Sequence, residues 1–127
     1  MSKLQTQDKS ADFEGIARIS QLSGLGMVTL RGNFSDKKFQ AGLKNAASLS
    51  LPAARQIEQS GMLSLAWMSP DEALLIGPEE EVSEVLPLLE TTLKSCHAMV
   101  VDVSDARVVF AILGSSARSV AAKLAPV

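Results

Sequence analysis

Two apolar runs, Met62 to Met68 and Ala73 to Ile76, are separated only by Ser69-Pro70-Asp71-Glu72. Proline presets φ for a turn, and Ser and Asp bond readily to nearby backbone, so this spacing predicts an antiparallel hairpin that closes at Gly77. Pro78-Glu79-Glu80-Glu81 comes immediately after. A proline at the first helical position with acids in the first turn is a helix start that complements the macrodipole. Val82, Val85, Leu86, Leu89 and Leu93 then form one apolar stripe, and Lys94 and His97 lie at the end where positive charge is favoured. Pro87 falls inside the stripe, where it removes one hydrogen bond and crowds the preceding turn, so a kink or break is expected there. A tight hairpin feeding an amphipathic helix commits the chain to an α+β layer structure.

The flanking segments extend this pattern. Met27 to Arg31 is rich in β-formers and reads as a strand, preceded by turn chemistry at Ser23-Gly24-Leu25-Gly26. The mixed stretch Phe13 to Leu22 admits a further strand. Residues 35–47 read as a short helix capped by Ser35, with Phe39, Leu43 and Ala46 at helical spacing. Gly42 in its middle costs about 1 kcal/mol relative to Ala. Ala53 to Gln59 admits one or two helical turns. Ala98 to Val103 reads as a buried strand and Arg107 to Leu113 as its antiparallel partner across Ser104-Asp105. Ser116 can cap a final helix through about Leu124, stopped by Pro126. The predicted fold is therefore an antiparallel or mixed sheet with helices packed on one face. Its core, from strand 27–31 through strand 98–103, is a split β-α-β pattern of the ferredoxin-like kind. A polar, disordered tail at 1–12 and a single α+β domain over 13–127 are expected.

Composition narrows the function. The chain has 127 residues, 12 basic and 14 acidic, for a net charge of −2. That balance supplies no basic face for nucleic acid and no polybasic signal for anionic lipid. Four Phe, one Trp and no Tyr make a poor base-stacking platform. A single cysteine precludes an intrachain disulfide and fits a reducing compartment. No early run resembles a signal peptide, and no apolar stretch approaches the roughly 20 residues of a membrane helix. Cytoplasmic residence is the expectation.

Catalytic patterns are missing. Cys96 and His97 are adjacent, and neighbours seldom face one ion or line up for nucleophilic attack, so a structural role is favoured and no metal site is assigned. Gly24-Leu25-Gly26 lacks the third glycine of a dinucleotide loop. Glu79 to Glu81 point in different directions around a helix and form a solvated start. No catalytic or cofactor-binding residue is therefore assigned, and the isolated chain is expected not to catalyse. Asp102, Asp105 and Arg107 lie close together at a strand end. They offer a carboxylate–guanidinium cluster for a ligand or partner, although the favoured reading is a turn in which Asp105 caps backbone N–H groups and Arg107 neutralises it. Trp67 is expected to be mostly buried; exposed, it would be a partner anchor.

Two segments carry a family resemblance. Trp67-Met68-Ser69-Pro70-Asp71-Glu72-Ala73-Leu74-Leu75-Ile76-Gly77 resembles the W-x-x-P-D-E-x-L-L hairpin of the sarcosine oxidase gamma subunit family. Val101-Asp102-Val103-Ser104-Asp105-Ala106-Arg107, with Gly114, Ala117-Arg118 and Lys123-Leu124-Ala125-Pro126, resembles that family's later motif in the same order. The resemblance spans roughly residues 27–127. It implies a non-catalytic subunit of a complex that oxidatively demethylates sarcosine to glycine and passes the one-carbon unit to tetrahydrofolate. FAD, FMN, NAD and tetrahydrofolate would sit in the partner alpha and beta subunits, none in this chain. The implied fold is akin to part of the glycine cleavage aminomethyltransferase. Family chains usually continue past the position of Val127, so this one is expected to be short at its C-terminus and, isolated, open to self-association. The alternative is a stand-alone folate- or small-ligand-binding module, which needs a deep pocket with a carboxylate.

Overall fold

A computed structural model describes residues 13–125. The expected tail at 1–12 and the helix stop at Pro126 lie outside the described residues. In chain order the elements are β1 (Phe13–Glu14), β2 (Arg18–Leu22), β3 (Leu25–Arg31), α1 (Lys37–Ala47), β4 (Ile57–Ser60), β5 (Leu63–Ser69), β6 (Glu72–Pro78), α2 (Glu79–Thr92), β7 (Met99–Asp102), a 3-10 turn (Ser104–Ala106), β8 (Val109–Leu113) and α3 (Ala117–Leu124). Among the described residues the fold is α+β, with three helices and two sheets whose strand pairs are all antiparallel. Contacts divide the described residues into two units, Leu25–Ala106 and the combination of 13–24 with 107–125.

In the larger unit five strands lie in the order β4-β5-β6-β3-β7. Side chains alternate across a strand, so Val28 and Leu30 of β3, Leu63 and Leu65 of β5, and Ala73 and Leu75 of β6 share one face. All six join the buried core with Phe39, Leu43 and Ala47 of α1, Val82 and Leu89 of α2, and Leu93 at its C-cap. The apolar stripe of α2 is thus its sheet-facing side, as its spacing predicts. Pro87 does not break α2, which runs unbroken from Glu79 to Thr92. The proline is exposed, so its ring lies at the solvent side of the helix rather than in the core.

Gly42 has a packing role in α1 that its helix propensity does not reveal. A β-carbon there would come within 2.9 Å of Leu93 Cδ2 and 3.2 Å of the Thr92 carbonyl oxygen. The glycine lets α1 and α2 approach closely, and Thr92 Oγ1 donates a hydrogen bond to the Gly42 carbonyl at 3.2 Å.

Several local expectations shift. The cap of α1 is Asp36, not Ser35: Asp36 Oδ1 accepts from the Lys38 N–H at 2.8 Å. Residues 57–60 form the edge strand β4 rather than helical turns, with Ile57 opposite Ala66 and Ser60 opposite Leu63. Strand β3 begins at Leu25, so Gly26 is a strand residue and only Gly24, at φ +72°, turns the chain. The Ser69-to-Glu72 link is tighter than its sequence suggests: Ser69 pairs with Glu72, leaving Pro70-Asp71 as the turn.

The smaller unit holds a three-stranded sheet in the order β1-β2-β8, with α3 after β8. Sequence makes Arg107–Leu113 the partner of the strand before it. In the structure β8 pairs instead with β2, from Arg18 opposite Leu113 to Leu22 opposite Val109. Strand β7 pairs with β3, from Val28 opposite Asp102 to Arg31 opposite Met99.

Candidate functional site

Strand β7 ends at Asp102, whose side chain caps the turn beyond it. Asp102 Oδ1 accepts from the Ser104 N–H at 2.9 Å and from the Ser104 hydroxyl at 2.6 Å. The Ser104 hydroxyl oxygen in turn accepts the Met27 N–H at 2.9 Å, and the Val103 N–H donates to the Met27 carbonyl at 2.9 Å. These bonds tie the turn after β7 to the start of β3, 77 residues away in sequence. The capping carboxylate is therefore Asp102, where the sequence favours Asp105.

The hydroxyl bond from Ser104, aided by the Ser104 backbone bond, holds the Asp102 pKa below its ordinary value, against a smaller opposing effect of burial. Hydrogen bonds to the charged form favour it. The folded-state pKa is depressed, so the stabilisation is fully present above the unfolded value, near 3.8, and is lost as pH falls through the folded value. Thermal melts should therefore show Asp102→Ala less stable than the parent at neutral pH, with the gap closing in acid. A gap that stays constant down to low pH would contradict the assignment.

Asp105 and Arg107 are both exposed, and neither forms an ion pair among the described residues. The predicted carboxylate–guanidinium cluster therefore does not form as an ion pair. Trp67, expected to be mostly buried, is half-buried. It lies opposite Ala73 at the irregular end of the hairpin, and its backbone N–H donates to the Gln56 carbonyl at 3.0 Å.

An ion pair the sequence does not signal joins Arg31 of β3 to Glu72 of β6 at 3.0 Å. Glu72's hydrogen bond and charge, helped by Asp71, raise the Arg31 pKa. The pair is exposed, and such pairs contribute little to stability. It brackets the hairpin turn, where Ser69 Oγ donates to Asp71 Oδ1 at 2.7 Å and the Gly32 N–H donates to the Asp71 carbonyl at 3.1 Å. Register alone reveals such a pair: Arg31 and Glu72 are directly opposite across two strands 41 residues apart.

Two open grooves lie in the larger unit. One, of about 590 Å³, is lined by Lys37, Gln40, Ala41, Lys44, Ser50 and Leu51. The other, of about 390 Å³, is lined by Arg31, Gly32, Cys96, His97, Ala98 and Met99. Neither lining contains a carboxylate. Among the described residues no three His, Cys, Asp or Glu side chains are grouped to hold a metal ion, and no helix is long and apolar enough to cross a membrane.

Known proteins share both the sequence pattern and the fold. The model of the sarcosine oxidase, gamma subunit family matches residues 31–126. The structure resembles a chain of heterotetrameric sarcosine oxidase from Corynebacterium sp. U-96, solved in complex with pyrrole 2-carboxylate, with a TM-score of 0.78. The two are 24% identical over 94% of this chain and 62% of that one. At that identity the likeness concerns the fold, and the chain spans less than two thirds of the length of its structural relative. No curated protein matches the sequence.

Proposed function

We propose that this chain, which belongs to the sarcosine oxidase gamma subunit family, is a non-catalytic assembly subunit of a sarcosine oxidase-like complex. The parent complex would oxidatively demethylate sarcosine to glycine and transfer the one-carbon unit to tetrahydrofolate. Its FAD, FMN, NAD and folate would belong to larger alpha and beta subunits in the cytoplasm. The observation that carries this reading is the family match, which covers the hairpin, α2 and the Asp102 cap in one continuous span.

The chemistry of the chain fits such a role. The Asp102–Ser104–Met27 bonds and the Arg31–Glu72 pair hold secondary structure in register, and each involves main chain or a neighbouring strand. Apolar side chains remain exposed on the larger unit, among them Ile57, Leu88, Met99 and Val101. Mixed apolar and polar surface of this kind is what protein partners cover. The split β-α-β reading of the larger unit is supported by the order β5-β6-β3-β7 and by the two helices α1 and α2 that link these strands. The alternative reading is a stand-alone folate- or small-ligand-binding module, and the family match does not favour it.

Affinity isolation of the tagged chain from its own cells, with mass spectrometry of the bound proteins, tests the proposal. Two larger subunits with bound flavin should be recovered in constant ratio to the chain. Recovery of the chain without a flavoprotein would count heavily against it.

A further inference from the structure

Burial is shared unequally between the two units. Every residue of the buried apolar core, from Val28 to Leu93, belongs to the larger unit. In the smaller unit only Ala17 and Ser20 are buried among the described residues, and α3 buries none of its side chains. The Ser20 hydroxyl has no hydrogen-bond partner, and a buried polar group left unpaired costs free energy. Among the described residues twelve large apolar side chains are exposed, and six of them, Phe13, Ile16, Val108, Phe110, Leu113 and Leu124, lie in the smaller unit. Apolar burial is the main term that favours folding. The smaller unit therefore has little of its own to set against the entropy of ordering its backbone.

Topology makes that unit depend on the larger one. Strand β2 is the middle of the order β1-β2-β8, so both pairings of the small sheet run through it. Its main pairing, from Arg18 opposite Leu113 to Leu22 opposite Val109, joins segments that lie on either side of the larger unit in sequence. Closing so long a loop carries an entropy cost. The folded larger unit has already met it, because the bonds that join Ser104 and Val103 to Met27 hold the turn after β7 against the start of β3. The chain passes between the units just outside that clamp, at Gly24–Leu25 and at Ala106–Arg107. A β-carbon at Gly24 would meet nothing within 4 Å, so close packing does not fix the first crossing. The core and the clamp of the larger unit, by contrast, are built entirely from its own residues.

We propose that the smaller unit is a separately opening lobe: in the free chain β2 and β8 part together, as one cooperative step, while the larger unit stays folded. Opening at this level is an equilibrium of the native chain, below global unfolding in free energy. The dependence runs one way. The lobe closes only on a folded larger unit, whereas the larger unit keeps its core and its Met27–Ser104 clamp when the lobe is open. Any surface that residues 13–24 and 107–125 build together exists only in the closed form, so whatever recognises that surface selects the closed form. The opening is a property of the free chain and stands apart from the assembly proposed above; either can fail without the other.

Native-state amide hydrogen exchange of the full 127-residue chain, read residue by residue by NMR in low concentrations of urea, tests it. The hydrogen-bonded amides of β2 and β8 should exchange at least about a hundredfold faster than those of β3 and β6, and should share one urea dependence. Leu75→Val, in the core of the larger unit, provides the second arm. It raises the energy of the closed and the open-lobe forms equally, so it should speed exchange in β3 and β6 and leave β2 and β8 unchanged. Equal protection of the two sheets would overturn the proposal, because the chain would then open as one unit. So would a Leu75→Val effect of the same size in both sheets. Different urea dependences for β2 and β8 would overturn it too, since the two strands would then not part in one step.

Discussion

Replacing Leu75 with alanine should lower the unfolding free energy by about 2–5 kcal/mol. Leu75 is 0% exposed at the middle of the larger sheet. It lies between Val28 of β3 and Leu65 of β5, both also fully buried. Removing its side-chain methyl groups forfeits their transfer free energy and leaves a cavity. The neighbours on either side are held by ladder hydrogen bonds and cannot close that cavity fully. For a chain of this length the midpoint of thermal unfolding should fall by roughly 3–6 °C per kcal/mol. Leu88→Ala is the matched control. Leu88 is 51% exposed on α2, and its loss should stay within about 0.5 kcal/mol. Chemical denaturation of the two variants distinguishes the cases, and equal losses would contradict the layer arrangement.

Gly26→Ala should cost about 1–3 kcal/mol, the usual cost of overpacking. A β-carbon at Gly26 would sit 2.6 Å from Val82 Cβ and 2.9 Å from Val82 Cγ1. Val82 Cβ is fixed to the backbone of α2, so a rotamer change cannot clear it. Either α2 lifts from β3 or β3 bows, and both open the core around Val82 and Leu75. Val82→Ala removes the Cγ atoms but leaves the Cβ contact, so the double variant should regain only part of the loss. A cycle of the four proteins by urea denaturation measures this coupling. Strict additivity would mean that Gly26 and Val82 do not touch.

Gly26 also shows where sequence stops informing. In sequence it is the end of a glycine-rich turn; in the fold it is a strand residue whose missing side chain makes room for Val82 on a distant helix. Local chemistry cannot reveal the partner in such a contact. The same holds for Ser104, whose bond to the Met27 N–H decides that Asp102 rather than Asp105 is the cap. Both aspartates have equal access to turn chemistry in sequence, and only the distant strand discriminates. Strand β4 escapes sequence reading for a different reason. Ile57-Glu58-Gln59-Ser60 has no apolar alternation because neither of its faces is buried, and it is held by its backbone ladder to β5.

What sequence does convey is periodicity and strong turn chemistry. The Val82, Leu89 and Leu93 stripe is buried against the sheet. Pro70-Asp71 turns the hairpin that joins β5 to β6. The candidate site is less legible. Of its four residues, Asp102 has a definite set of partners, Trp67 is half-buried at a strand irregularity, and Asp105 and Arg107 are exposed side chains. Two motifs suffice to point to a family, because a motif preserves order and spacing even where the role of each residue is hidden.

The decisive measurement is conversion of sarcosine to glycine, recorded with the flavin absorbance of the same sample, for the purified chain alone and for the chain isolated with whatever larger subunits it binds. The chain alone should show no turnover and no flavin, while the assembled sample should show both. Turnover of sarcosine by the chain alone, or one flavin bound per chain, would contradict a purely assembling role.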